Sequence, residues 1–158
     1  MENPIQTQVK NPEFSVLLQK DESPNGAENV VDIDAGKEKG EYNKEDEIYK
    51  MIVYQLEVKE IYLDPKLSLV KFSSIVGTNT TYLSNTVNRR FGMNLKALVN
   101  RYRVGHAKRL IKELGSLTDI GELIRRCGFS SRSIFYSAFR REVGTTPLRY
   151  MIRNAVEE

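Results

Sequence analysis

A short apolar stripe, a glycine, a polar turn and a second apolar stripe occur twice in this chain, and that repetition limits its fold more than any other feature. In the later copy Ile120, Leu123, Ile124 and Cys127 fall on one helical face. Gly128 follows where a residue of positive φ would end the helix. Ser130 and Ser131 can cap the next helix, whose expected buried face is Ile134, Phe135, Ala138 and Phe139. In the earlier copy Ser68–Gly77 reads as a short helix ending at glycine, and Thr78 to Thr81 form a polar turn. Tyr82, Leu83, Thr86, Val87 and Phe91 then give the expected buried face of a helix closed by Gly92.

The intervals Gly77 to Gly128 and Gly92 to Gly144 differ by a single residue, which fits in the turn. Phe72 then pairs with Leu123, Val76 with Cys127, Leu83 with Phe135, Val87 with Phe139 and Phe91 with Val143. Two units are too few for a solenoid, and each keeps its own exposed helix. A short helix, a glycine turn and a polar-to-basic second helix form the geometry that lays one helix in a DNA major groove.

Between the units Leu95, Leu98, Val99, Tyr102, Ala107, Leu110, Ile111 and Leu114 mark a long amphipathic helix. About 20 residues at 1.5 Å each span about 30 Å. That is close to the ~34 Å between successive major-groove openings on one face of B-DNA. Gly105 within it costs roughly 1 kcal/mol relative to alanine. Before the first unit, Glu45, Asp46 and Glu47 suit a helix start. Ile48, Met51, Ile52, Leu56 and Ile61 continue a stripe up to Asp64-Pro65, where proline stops it.

Residues 1 to about 44 carry few apolar side chains and an acidic excess, so we expect a disordered tail or linker. Phe14, Val16, Leu17 and Leu18 form a small apolar island within it, read as a stray cluster with a docking peptide as the alternative. The formal net charge of +3 hides this asymmetry, because the remainder of the chain is strongly basic. An acidic tail before a basic domain is the profile of a polyanion binder. With 158 residues there is room for one domain, or two small ones plus a tail. No apolar run reaches bilayer length, and a single cysteine suits a reducing compartment, so a soluble, cytoplasmic protein is expected.

The run Gly128-Phe129-Ser130-Ser131-Arg132-Ser133-Ile134-Phe135, then Ala138-Phe139, Gly144-Thr145-Thr146-Pro147 and Tyr150, resembles the second helix-turn-helix of the AraC/XylS family of bacterial transcription regulators. Tyr82-Leu83-Ser84 and Tyr62-Leu63-Asp64-Pro65 resemble its first unit, and Arg103 with Ala107-Lys108-Arg109-Leu110-Ile111 its linker helix. The likeness covers about residues 48 to 152. It implies an all-α fold: a helix-turn-helix at about 68–92, a linker helix at about 94–114 and a second helix-turn-helix at about 118–144, in a DNA-binding domain of residues 45–158 behind a disordered acidic tail.

The resemblance also implies roles. Thr80, Thr81, Ser84 and Asn85 are the base-facing set of the first unit, and Arg132, Ser133, Tyr136 and Ser137 that of the second. Asn85 suits adenine N6 and N7, and Arg132 suits guanine O6 and N7. Arg89, Arg90, Arg140 and Arg141, read as standing at matching places in the two repeats, are assigned to phosphates. Family members often carry arginine where Asn85 and Ser137 stand here. The family's small alanine in the first helix of each unit is Ser73 and Ile124.

The expected function is a sequence-specific DNA-binding transcription regulator. Its partner is double-stranded DNA, activation through RNA polymerase is a secondary expectation, and no effector is expected within this chain. The alternative is a protein-interaction module that binds a partner regulator or the polymerase without reading DNA, its acidic tail masking the basic face. A nonspecific architectural binder is a third class. Catalysis is not expected, because the sequence has no glycine-rich phosphate loop and no metal-spaced His/Cys set. His106, the only histidine, is expected to be partly buried at the edge of the linker stripe, and Cys127 to fill a small core slot. No cofactor, metal ligand or catalytic residue is assigned.

Overall fold

The structure is a computed structural model that describes the backbone of residues 35–115 and 119–156 and the side chains of 44–115 and 119–155. The described residues form helices and connecting turns. Residues 1–34, with the island Phe14, Val16, Leu17 and Leu18, lie outside the described residues, as does Thr118.

The first helix, α1 (Ala35–Glu57), starts well before the expected boundary at residue 45. Residues 35–44 hold alanine, lysines and glutamates, which favour a helix, beside Gly36, Gly40 and Asn43, which do not, so the packed Ile48, Ile52 and Leu56 further along anchor it. At its other end α1 stops at Glu57 instead of running on to Asp64-Pro65. Glu60 adopts the left-handed region at φ 50, and Ile61–Leu63 form a separate 3-10 turn. Asp64, preceding Pro65, is extended, as the proline ring requires.

The first unit comprises α2 (Leu69–Val76) and α3 (Thr80–Phe91). Its ends follow the sequence signals. Ser68 Oγ accepts from Lys71 N, Asn79 Oδ1 accepts from Tyr82 N, and Gly77 and Gly92 close the helices at positive φ. Helix α4 (Leu95–Leu114) begins at the cap Asn94 and has the expected length of 20 residues. The second unit comprises α5 (Ile120–Arg126), capped by Asp119, and α6 (Arg132–Val143), capped by Ser131 and closed by Gly144. A further helix, α7 (Pro147–Val156), follows. The sequence reading treated Pro147 and Tyr150 only as motif residues, although proline at a first helical position is an ordinary start signal.

Two cores result, and α4 belongs to both. Its first half gives Leu98, Val99 and Tyr102 to a core with Ile52, Leu56, Phe72, Leu83 and Val87. Its second half gives Val104, Ala107, Leu110 and Ile111 to a core with Leu123, Cys127, Phe135, Phe139 and Met151. Leu114, counted on the apolar stripe, is largely exposed at the helix end. One rod thus carries both units. Each unit is a long helix followed by a helix-turn-helix: α1–α2–α3, then α4–α5–α6.

Candidate nucleic-acid interface

On α6 the backbone winds Phe135, Ala138 and Phe139 into the second core, which turns Arg132, Ser133, Ser137, Arg140 and Arg141 outward and leaves Tyr136 half-buried. Ile134, expected in the core, is 38% exposed. Its counterpart Tyr82 in α3 is 40% exposed, also against expectation. Both sit at the third position of their helices, at the edge of an apolar stripe that only Leu83 and Phe135 centre. Tyr82 instead receives the Lys44 ammonium over its ring, 4.7 Å from the centroid. On α3, Thr81 and Asn85 are exposed and Thr80 and Ser84 half-exposed, while Leu83, Thr86 and Val87 are buried.

Helices α3 and α6 border one cleft. This cleft of about 470 Å³ has α4 residues Lys96, Val99 and Asn100 along its floor, Ser84 of α3 on one wall, and Ser130 and Ile134 of the second unit on the other. No lining residue is acidic. Its polar lining is hydroxyls, amides, Lys96 and Arg103, set among the apolar side chains Leu67, Leu69, Leu95, Val99 and Ile134. Arg132 lies along its own helix: Nη2 donates to Tyr136 Oη at 3.3 Å, and the guanidinium sits 5.4 Å from the ring centroid. That contact holds the side chain extended over the second turn of α6.

The four arginines assigned to phosphates are not equivalent. Arg89 is exposed, with one nitrogen 3.0 Å from Glu45 Oε2. Arg90 is turned toward α1, where it pairs with Glu45 at 3.4 Å and with Asp46, its side chain only 23% exposed. Burial lowers its affinity for the proton, but Asp46 and Glu45 outweigh that effect and hold the cation firmly charged. Arg141 pairs with Glu142 at 3.2 Å. Arg140 opens onto a depression of about 290 Å³ with Gly144, Thr145, Thr146 and Arg149 at the start of α7. Aligned on the closing glycines, Arg89 matches Arg141, but Arg90 matches Glu142 and Arg140 matches Asn88. The expected doubling of the arginine pair is therefore shifted by one place, and Arg90 is an interhelical strut rather than an outward cation.

Sequence reasoning gives Arg103 only as part of the linker-helix resemblance and assigns it no role. It is buried on α4, its Nε donating to Tyr62 O at 2.6 Å and its Nη2 to Asp64 O at 2.8 Å. Nearby, Arg109 Nη2 donates to Tyr62 Oη at 3.1 Å and lies 3.2 Å from His106 Nδ1. Burial, then the Coulomb push of Arg109, lowers the His106 pKa below its usual 6.5, against the pull of Glu60. Cys127 is buried as expected, and burial pushes its thiol up to about 12. Among the described residues no helix is long and apolar enough to cross a membrane.

A family model described as a helix-turn-helix domain matches residues 72–153. The probable transcriptional regulator LumQ of Photobacterium leiognathi is 33% identical over 91 residues, which cover 58% of this chain and 36% of that one. The chain thus spans about a third of the length of this curated relative. The C-terminal domain of AraT, a response regulator from Geobacillus stearothermophilus, superposes with a TM-score of 0.57 at 20% identity, over 68% of this chain and 84% of that one. A transcriptional regulator with an AraC-type DNA-binding domain from Chromobacterium violaceum does so at 0.56 and 18%, over 72% and 96%. At such identities these structures show a shared fold.

Proposed function

The chain belongs to the AraC-type helix-turn-helix family, and on that premise we propose that it is a sequence-specific DNA-binding transcription regulator whose α3 and α6 enter successive major-groove segments of one duplex. The observation that carries this reading is the shared cleft, which Ser84 of α3 and Ile134 of α6 line together with Lys96, Val99 and Asn100 of α4, so that both helices border one opening. The 20 residues of α4 give a length of about 30 Å. That length suits neighbouring groove openings, ~34 Å apart.

In this proposal Thr80, Thr81, Ser84 and Asn85 face bases from the first unit, and Arg132, Ser133, Tyr136 and Ser137 from the second. Asn85 reads adenine and Arg132 guanine, each by a two-point hydrogen bond. Arg89, Arg140 and Arg141 take phosphates, with Lys96 on the cleft floor facing the backbone that crosses between the grooves. Arg90 is left out of that set because, unlike the exposed Arg89 and Arg141, its guanidinium is largely buried against α1 between Glu45 and Asp46. Activation through contact with RNA polymerase is the accompanying proposal.

Selection of bound sites from random duplexes at moderate salt tests the reading, followed by Arg132→Ala on the selected site. The substitution is expected to cost about 1–3 kcal/mol and to relax preference at one base pair. Equal loss on every sequence would assign Arg132 to phosphate alone, and selection of no preferred site would end the proposal.

A further inference from the structure

Between its long helix and its helix-turn-helix the first unit carries the 3-10 turn Ile61–Leu63. That turn is where the two units meet. Arg103 grips it from α4 through two backbone carbonyls, Tyr62 O and Asp64 O. The same guanidinium lies 5.5 Å from the ring centroid of Phe129, which lies in the turn of the second unit. Beside it Gly128 approaches the turn so closely that a Cβ there would stand 2.5 Å from Leu63 O. Arg103 therefore touches both units at once, the first through main-chain carbonyls, whose positions follow the fold rather than a rotamer, and the second through the Phe129 ring.

Resting on the two-headed reading, we propose that Arg103 is the positioning residue that sets the angle and spacing between the reading helices, by pinning the 3-10 turn of the first unit to the turn of the second. A guanidinium suits the task. Its planar fork addresses two fixed acceptors together while its face stacks on a ring, whereas a lysine ammonium offers a single point. Burial of a charge whose direct partners are carbonyls adds little net stability. Its contribution is to select one arrangement of α4 against the turn.

Two measurements on the full chain test this. The first uses the duplex selected from random sequence, with and without one base pair inserted between its two contacted segments. The wild type is expected to lose about tenfold or more in affinity on insertion, as two linked heads do when their spans no longer match. Arg103→Lys and Arg103→Met should keep affinity for a duplex bearing one segment within about twofold, and should lose most of the penalty for the inserted pair. The second measurement needs no DNA: spin labels at Ser74→Cys in α2 and Arg126→Cys in α5, in a Cys127→Ala background. One narrow distance is expected with Arg103 and a broadened one in either variant. A folded Arg103→Lys with an unchanged distance distribution and an intact insertion penalty overturns the proposal. Should the wild type ignore the insertion, the two-headed reading fails, while the label distances alone still decide whether Arg103 holds the units in place. Should Arg103→Met fail to fold, Arg103→Lys, which keeps the stem and the charge, carries both measurements.

Discussion

Arg90 and Glu142 occupy the same place, two residues before the glycine that closes each reading helix, and they carry opposite charges. Each is held by the long helix in front of its own unit. Asp46 and Glu45 of α1 take Arg90, and Arg101 of α4 takes Glu142 at 3.0 Å. The strap between the long helix and the reading helix is thus repeated with its polarity reversed. This relation predicts a rescue. Glu142→Arg places like charges beside Arg101 and Arg141, and should lower stability by about 1 kcal/mol, the scale of a partly exposed pair. Adding Arg101→Glu should recover at least half of the loss in urea unfolding. A double variant as unstable as the sum of its parts would show that the pair contributes no strap.

Gly128 and Gly77 both sit at positive φ, 76 and 77. An alanine at Gly77 meets open space, so Gly77→Ala should cost only the backbone term, about 1–2 kcal/mol. At Gly128 the new methyl runs into the Leu63 carbonyl, and the loss should exceed that of Gly77→Ala by 1 kcal/mol or more. Equal losses would mean that the second unit does not rest against the 3-10 turn.

His106 gives a pH dependence of definite sign. Its native pKa lies below 6.5, so the unfolded chain takes up the proton first as pH falls. Stability should therefore be complete above the unfolded value, decline below about pH 6.5, and level off once the native state protonates too. Arg109, Arg126, Glu60 and Glu113 are the charged groups acting on it. Asp64, held below its ordinary 3.8 by Lys71 and the Lys66 amide, acts only at lower pH. His106→Gln should flatten the urea midpoint between pH 7 and 5. A slope unchanged in that variant would assign the effect elsewhere.

Cys127, with its thiol near 12, should resist alkylation by iodoacetamide at pH 8 in the native chain and react rapidly in denaturant. Fast native modification would place the sulfur outside the core.

The helix ends were legible because their signals are local. Ser131 caps and Gly77, Gly92 and Gly144 close where the sequence places them, while the caps Ser68, Asn79 and Asn94 went unnamed although their residue types favour that position. The centres of the buried stripes, Leu83, Val87, Phe135 and Phe139, were legible for the same reason, since their spacing fixes a helical face. What escaped depends on partners distant in sequence. Tyr82 and Ile134 sit at stripe edges, and burial there is decided by how far each neighbouring helix reaches. Arg90 looked like a twin of Arg89 until α1 supplied Asp46. Arg103 has main-chain partners in a turn about forty residues away, and no residue-type pattern announces a carbonyl. The α1 stripe was overextended because a left-handed Glu60 is not signalled by the glutamate itself.

Methylation interference at guanine N7 on the selected duplex addresses the central claim most directly, because that atom lies in the major groove. The account predicts two clusters of interfering guanines on one face of the helix, their centres about 10 base pairs apart. Arg132→Ala should erase interference within one cluster and leave the other. A single cluster, or interference spread evenly along the duplex, would contradict it.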